Sequence, residues 1–149
     1  MKKLKIETYR GVKMAAGYRV FAGYGLNTCS FWVDGVIVDT GPRSLREAFR
    51  RFFAGQRVEK VVLTHSHEDH SGNAALLQAQ GIPVYVHPTA VAEVARPVRV
   101  PFYRWVFWRS RSPFQAQPLP EVVETAGGRR LYVIPAPGHA PDHVAYYYP

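Results

Sequence analysis

Cysteine is almost absent: Cys29 is the single one in 149 residues, so no internal disulfide can staple the chain. Cys29 lies in an apolar, strand-like stretch, where a small buried core residue is its expected role. Acidic residues are scarce as well, 11 Asp and Glu against 19 Lys and Arg, for a formal net charge of +8. That surplus speaks to solubility and loose attraction to anions rather than to fold, and it reads as a generally basic protein. No apolar run reaches the roughly 18 residues needed to span a bilayer. The basic start Met1-Lys2-Lys3 is followed by Leu4, Lys5, Ile6 and Glu7, which break the apolar core that a signal peptide requires. A cytoplasmic location with no membrane span is therefore expected. Internal repeats and low-complexity linkers are missing too. What is left, 47% hydrophobic and 20% charged, describes one globular domain over residues 1–149 with a core of its own.

Within that domain, strand and helix patterns alternate. Arg19 to Gly25 and Thr28 to Val33 are rich in aromatic and β-branched residues, and Asp34-Gly35 is a hairpin turn signal. Val36-Ile37-Val38 reads as a short buried strand ending at Asp39-Thr40-Gly41-Pro42. Ser44 and Glu47 have capping-box spacing. After them Leu45, Ala48, Phe49, Phe52 and Phe53 share one helical face, and Gly55 ends the helix. Lys60 to Leu63 is a second buried strand running directly into Thr64-His65. A helix is expected from Gly72-Asn73 to Gly81, a strand at Val84 to Val86, and a short helix from Thr89 to Ala95. Arg130 to Ile134 reads as a strand, Pro135 to Asp142 as a loop, and Val144 to Tyr148 as a last strand. This alternation predicts an α/β layered domain.

Histidine is uncommon, yet three of the six fall in one window: His65, His67 and His70, with Asp69 among them. The window follows a buried strand, and α/β folds place their sites just beyond the carboxyl ends of strands. In an extended segment residues i and i+2 point to the same side, so His65 and His67 reach one metal together. Asp69 and His70, at the coming turn, point elsewhere and suit a second metal. Gly72 gives the backbone room to turn into the next helix. Imidazole and carboxylate suit zinc, iron or manganese, and the lack of cysteine disfavours a structural zinc knot. A third ligand for the first site is available far along the chain in Pro137-Gly138-His139, again in a loop after a strand.

His65-Ser66-His67-Glu68-Asp69-His70 and Pro137-Gly138-His139 resemble the His-x-His-x-Asp-His motif and the Pro-Gly-His loop of the metallo-β-lactamase fold superfamily. Asn27-Thr28 and Val38-Asp39-Thr40-Gly41 are similar to the opening strands of that family, and the pattern looks closest to its glyoxalase II-like branch. The resemblance implies an αββα sandwich, here its first half plus part of the second. It implies a first metal site of His65, His67 and His139, a second with contributions from Asp69 and His70, and Asp39 beneath them, orienting a motif residue. It also implies a metal-dependent hydrolase. A metal-bound hydroxide would attack an ester, thioester or lactone, with Asp69 positioning the water or taking its proton and zinc, one or two ions, as the metal.

The family pattern continues beyond the Pro-Gly-His loop with a Gly-Asp pair whose aspartate bridges both metals, and with a further histidine. This chain ends at Tyr148-Pro149 and has neither. Asp142 and His143 do not replace them; His143 is expected to be a loop or packing residue. The expectation is a C-terminally incomplete domain with a weak second metal site and an open sheet edge. Such an edge invites a homo-oligomer or a completing chain. A non-catalytic or split metal-binding domain is thus the alternative to a hydrolase, with an iron-dependent sulfur dioxygenase a further option.

Residues 96–120 stand apart as a basic aromatic insertion. Five arginines (96, 99, 104, 109 and 111) interleave with Phe102, Tyr103, Trp105, Phe107, Trp108 and Phe114, and there is no acidic residue. One reading is an insertion whose aromatics pack on the domain while its arginines are solvated. Others are a lid over the site for an acidic or apolar substrate, a single-stranded nucleic-acid surface of a nuclease, and a membrane-surface element. A small-molecule substrate is expected over nucleic acid.

Overall fold

The computed structural model describes residues 4–149. Its first four strands, β1 (Lys5–Tyr9), β2 (Val12–Phe21), β3 (Tyr24–Val33) and β4 (Val36–Val38), form an antiparallel meander. One turn chemistry makes all three hairpins. Arg10-Gly11, Ala22-Gly23 and Asp34-Gly35 each set two successive residues at positive φ (48° and 81°, 49° and 81°, 43° and 88°). Paired positive φ values match the right-handed twist of the flanking strands. The strand expected over Arg19 to Gly25 is therefore cut in two at Ala22-Gly23. Alanine carries a cost at positive φ that asparagine or aspartate does not, which is why the sequence signal there was weak.

The chain then changes from hairpins to crossovers. Helix α1 (Arg46–Ala54) leads to β5 (Lys60–Val62); α2 (Glu68–Ser71) and α3 (Ala74–Gln78) lead to β6 (Val84–Val86); α4 (Val91–Val94) and α5 (Phe102–Trp108) lead to β7 (Gln117–Pro118). Strands β4 to β7 pair in parallel, completing a seven-stranded sheet in sequence order. A second, antiparallel sheet holds β8 (Val122–Glu124), β9 (Arg130–Pro135) and β10 (Val144–Tyr147), with β10 at its end.

Period-two alternation assigns the two faces of the large sheet. Ile37, Val61, Val84 and Val86 meet Leu45, Phe49, Phe52, Phe53, Leu77, Val94 and Phe114 on the helix side. Val33, Val36, Val38 and Val62 meet Leu119, Val123, Leu131 and Val144 between the sheets. The result is a helix layer on two stacked sheets, three layers of an αββα sandwich.

Four local expectations need correction. Ser44 does not cap α1: Arg43–Leu45 forms a 3₁₀ turn, Leu45 takes the cap position, and the buried Ser44 hydroxyl has no partner. Residues 68–71 are a helical turn rather than an open turn. Gly72 is not needed for an unusual backbone angle, since its φ is −56°. It is needed for close approach: a Cβ there would sit 2.6 Å from the Glu68 carbonyl oxygen and 2.7 Å from the Arg43 nitrogen and the Gly41 oxygen. Cys29 is half-buried rather than buried.

Candidate metal centre

β4 and β5 end side by side, and the residues that follow them build the centre. Asp39, with φ 60°, stands in the left-handed region directly after β4. It is only 2% exposed. Its Oδ1 accepts the Thr64 N–H (2.7 Å), and its Oδ2 accepts the Thr64 hydroxyl (2.7 Å) and His70 Nδ1–H (2.7 Å). A carboxylate only accepts, so the Thr64 hydroxyl donates to Asp39 and is left to accept from His65 Nδ1 at 2.9 Å. This relay fixes the neutral tautomer of His65 with its lone pair on Nε2. That atom is buried and has no hydrogen-bond partner within the protein.

His67 and His139 converge on the same point. The ligand atoms of His65, His67 and His139 all lie within 4.8 Å of one another. The ring centroids of His67 and His139 are each 5.0 Å or less from that of His65. Burial, reinforced by the neighbouring His70, lowers the His65 pKa to about 4. Burial and then the Arg104 charge lower that of His67. Both rings are thereby biased to the neutral form that a metal ligand must have. A buried nitrogen lone pair without a donor, beside two further imidazoles, fits a borderline divalent cation and fits nothing else in its surroundings.

His70 and Asp69 sit alongside but are engaged with each other. His70 Nε2 is 3.3 Å from Asp69 Oδ2, while its Nδ1 faces Asp39. Burial opposes charge on His70, yet the two carboxylates outweigh it and raise its pKa to about 10. Burial likewise pushes Asp69 up, but His70 holds its carboxyl below the ordinary value. His143 turns its Nδ1 to the Ala136 carbonyl (3.1 Å), and its ring packs beside His65 with centroids 5.0 Å apart.

The loops are locked together by residues to which the sequence reading gave no positioning role. Asp142, 6% exposed, accepts the Ser66 N–H through Oδ2 at 2.8 Å. Val144 N–H donates to the Thr64 carbonyl (2.8 Å), joining the second sheet to the first beside His65. The Ser71 hydroxyl faces the Ser66 and His67 carbonyls, at 2.8 and 2.9 Å. The Asn73 side chain donates to the carbonyls of Thr40, Gly41 and Pro42. Glu68, inside the first motif, forms a two-point pair with Arg104 of α5, Nε to Oε1 at 2.7 Å and Nη2 to Oε2 at 2.5 Å. No local signal in the sequence marks that pair, whose two ends lie 36 positions apart.

Within residues 96–120, Phe107, Trp108 and Phe114 are buried, whereas Phe102, Tyr103 and Trp105 are exposed. No helix among the described residues is long and apolar enough to cross a membrane.

A protein named "Probable metallo-hydrolase YybB" from Bacillus subtilis is 32% identical over 117 residues, 77% of this chain and 52% of that protein. A hydroxyacylglutathione hydrolase from Stenotrophomonas maltophilia is 28% identical over 121 residues, 76% of this chain and 38% of that protein. The chain thus spans about half the length or less of these two relatives. A metallo-beta-lactamase from Pontibacter korlensis superposes with a TM-score of 0.73 at 23% identity, over 99% of this chain and 67% of that one. Residues 29–149 match the family model of the metallo-beta-lactamase superfamily, and the chain belongs to that superfamily.

Proposed function

We propose that this chain is a metal-dependent hydrolase that holds one divalent ion, zinc first and iron or manganese as substitutes, on His65, His67 and His139. The observation that carries this reading is the buried, unpartnered Nε2 of His65, aimed at the same point as two other imidazoles. Membership in a superfamily of metal-dependent hydrolases supports it. The substrate class is an ester, thioester or lactone. When bound, the ion supplies Lewis acidity, acidifying water and stabilising negative charge that develops on the carbonyl oxygen.

The chain's own residues do the rest. Asp39 and Thr64 hold His65 in the tautomer that presents Nε2. Asp69, held ionised by His70, would orient the attacking water and accept its proton. Asp69 and His70 are committed to each other and to Asp39, so one ion per chain is expected and a second binds weakly. Zinc titration, with an ester, thioester and phosphodiester panel on the wild type and on His65→Ala, tests this. Hydrolysis of carbonyl substrates that disappears with the metal in the variant supports the reading. Turnover of phosphodiesters alone would replace it with a nuclease.

A second reading rests on β10, which pairs only with β9 among the described residues. Beside it lies an apolar groove of about 700 Å³ lined by Val12, Met14, Phe31, Leu131 and Tyr146. Open strand edges invite pairing. On this reading the chain is a split metal-binding domain that turns over substrate only with a second copy or a completing chain. Light scattering across a concentration series distinguishes it, because a sharp monomer at every concentration with full activity rules it out.

A further inference from the structure

A smaller cavity, about 250 Å³, opens directly onto His67, Asp69 and His139. Its other walls are Leu26 from the β2–β3 hairpin and Tyr103, Arg104, Phe107 and Trp108 from α5. The basic aromatic segment is therefore one side of a groove that ends at the metal centre.

Arg104, the arginine that lines the cavity, is already paired inside the protein. Arg104 is held at two points by Glu68, whose side chain is 2% exposed. Arg19 donates to the carbonyls of Phe107 and Val106, at 3.2 and 3.3 Å. Arg111 is buried on the carbonyls of Glu93, Val94 and Arg96. Arg109 lies over the Trp105 ring at 3.9 Å. Asp69, the other charged group lining the cavity, is engaged with His70 at 3.3 Å. What the groove offers a ligand is the apolar surface of Leu26, Tyr103, Phe107 and Trp108. The hairpin and helix that carry it are braced against each other by Arg19 and by the edge-to-face contact of Phe21 with Phe107, at 6.3 Å.

We propose that this groove binds an apolar acyl chain of the substrate, with Leu26 and Tyr103 as specificity-determining residues and the Glu68–Arg104 pair as the brace that sets the wall. This rests on the hydrolase reading and narrows it to carbonyl substrates with uncharged, aliphatic acyl groups. It argues against anionic acyl groups, because the arginine that lines the groove, Arg104, is already paired with Glu68.

The test separates binding from turnover. Calorimetry on the zinc-loaded chain would use non-hydrolysable N-acyl amides of two to eight carbons and an N-succinyl amide of matched length. In parallel, p-nitrophenyl esters of the same acyl groups would be assayed. Affinity should rise about threefold per methylene until the groove is filled, and the succinyl compound should bind at least tenfold more weakly than its neutral counterpart. Leu26 and Tyr103 are exposed, 44% and 65%, so Leu26→Asp and Tyr103→Ser should fold normally and flatten the chain-length dependence. Chain-length-dependent binding without hydrolysis of any ester would sustain the groove and overturn the hydrolase reading. Hydrolysis with affinity independent of chain length, or preference for the succinyl compound, would overturn the groove.

Discussion

The carboxylate of Asp142 accepts the backbone N–H of Ser66 at 2.8 Å, tying the loop that carries His139 to the segment between His65 and His67. The two halves of the proposed ligand set come from residues more than 70 positions apart, and this bond sets their spacing. Removing the carboxylate leaves a buried N–H without a partner. Asp142→Ala should destabilise the chain by about 1.5–3 kcal/mol and weaken zinc binding roughly 10–100-fold. Asp142→Asn, which keeps an acceptor, should lose less of both. Urea unfolding and zinc calorimetry measure the two effects, and unchanged zinc affinity in the alanine variant would show that the bond does not align the site.

Gly72 permits the 41–43 segment to press on α2. Gly72→Ala should cost about 1–3 kcal/mol or more, because all three atoms nearest the new methyl are backbone and cannot rotate away. The loss should appear as a lower urea midpoint with an unchanged slope.

Glu68 and Arg104 make a pair with one buried end. Arg104→Ala should destabilise by about 3–5 kcal/mol, since it strands a buried carboxylate. Replacing both by methionine should restore most of that stability. A double-mutant cycle in urea reads the coupling, and additive single effects would show that the pair is not a brace.

Asp34 joins the two sheets. Its Oδ2 accepts the Thr125 hydroxyl (2.6 Å) and the Gly127 N–H (2.7 Å). The Thr125 bond first, then that of Gly127, holds the carboxyl below the ordinary value of 3.8. A carboxyl with a depressed folded pKa contributes stability above its unfolded value, and the contribution is lost as pH falls through the folded one. Thermal stability of the wild type should therefore drop below about pH 4. Asp34→Asn should show a shallower drop, with zinc affinity near neutral pH unchanged.

The fold and much of the site were legible for different physical reasons. The buried β4 and β5 runs and the apolar face of α1 were readable because burial leaves a periodic imprint on composition. The pairing of His65 with His67 was readable because residues i and i+2 of an extended segment share a side. The hairpin at Ala22-Gly23 was not, because alanine conceals the positive φ that the turn imposes. Helix α5 was hidden by the prolines and exposed aromatics around it. Asp142 and Arg104 were invisible as positioning residues because their partners, Ser66 and Glu68, lie far away in sequence and nothing local marks the pairing.

The central claim is a single metal site built from His65, His67 and His139. Metal analysis combined with zinc calorimetry on the wild type, His65→Ala and His139→Ala tests it most directly. The account predicts one tightly held zinc per wild-type chain and an affinity loss in each variant larger than the roughly 10–100-fold expected for loss of an outer partner. Metal content and affinity in either variant equal to the wild type would contradict it.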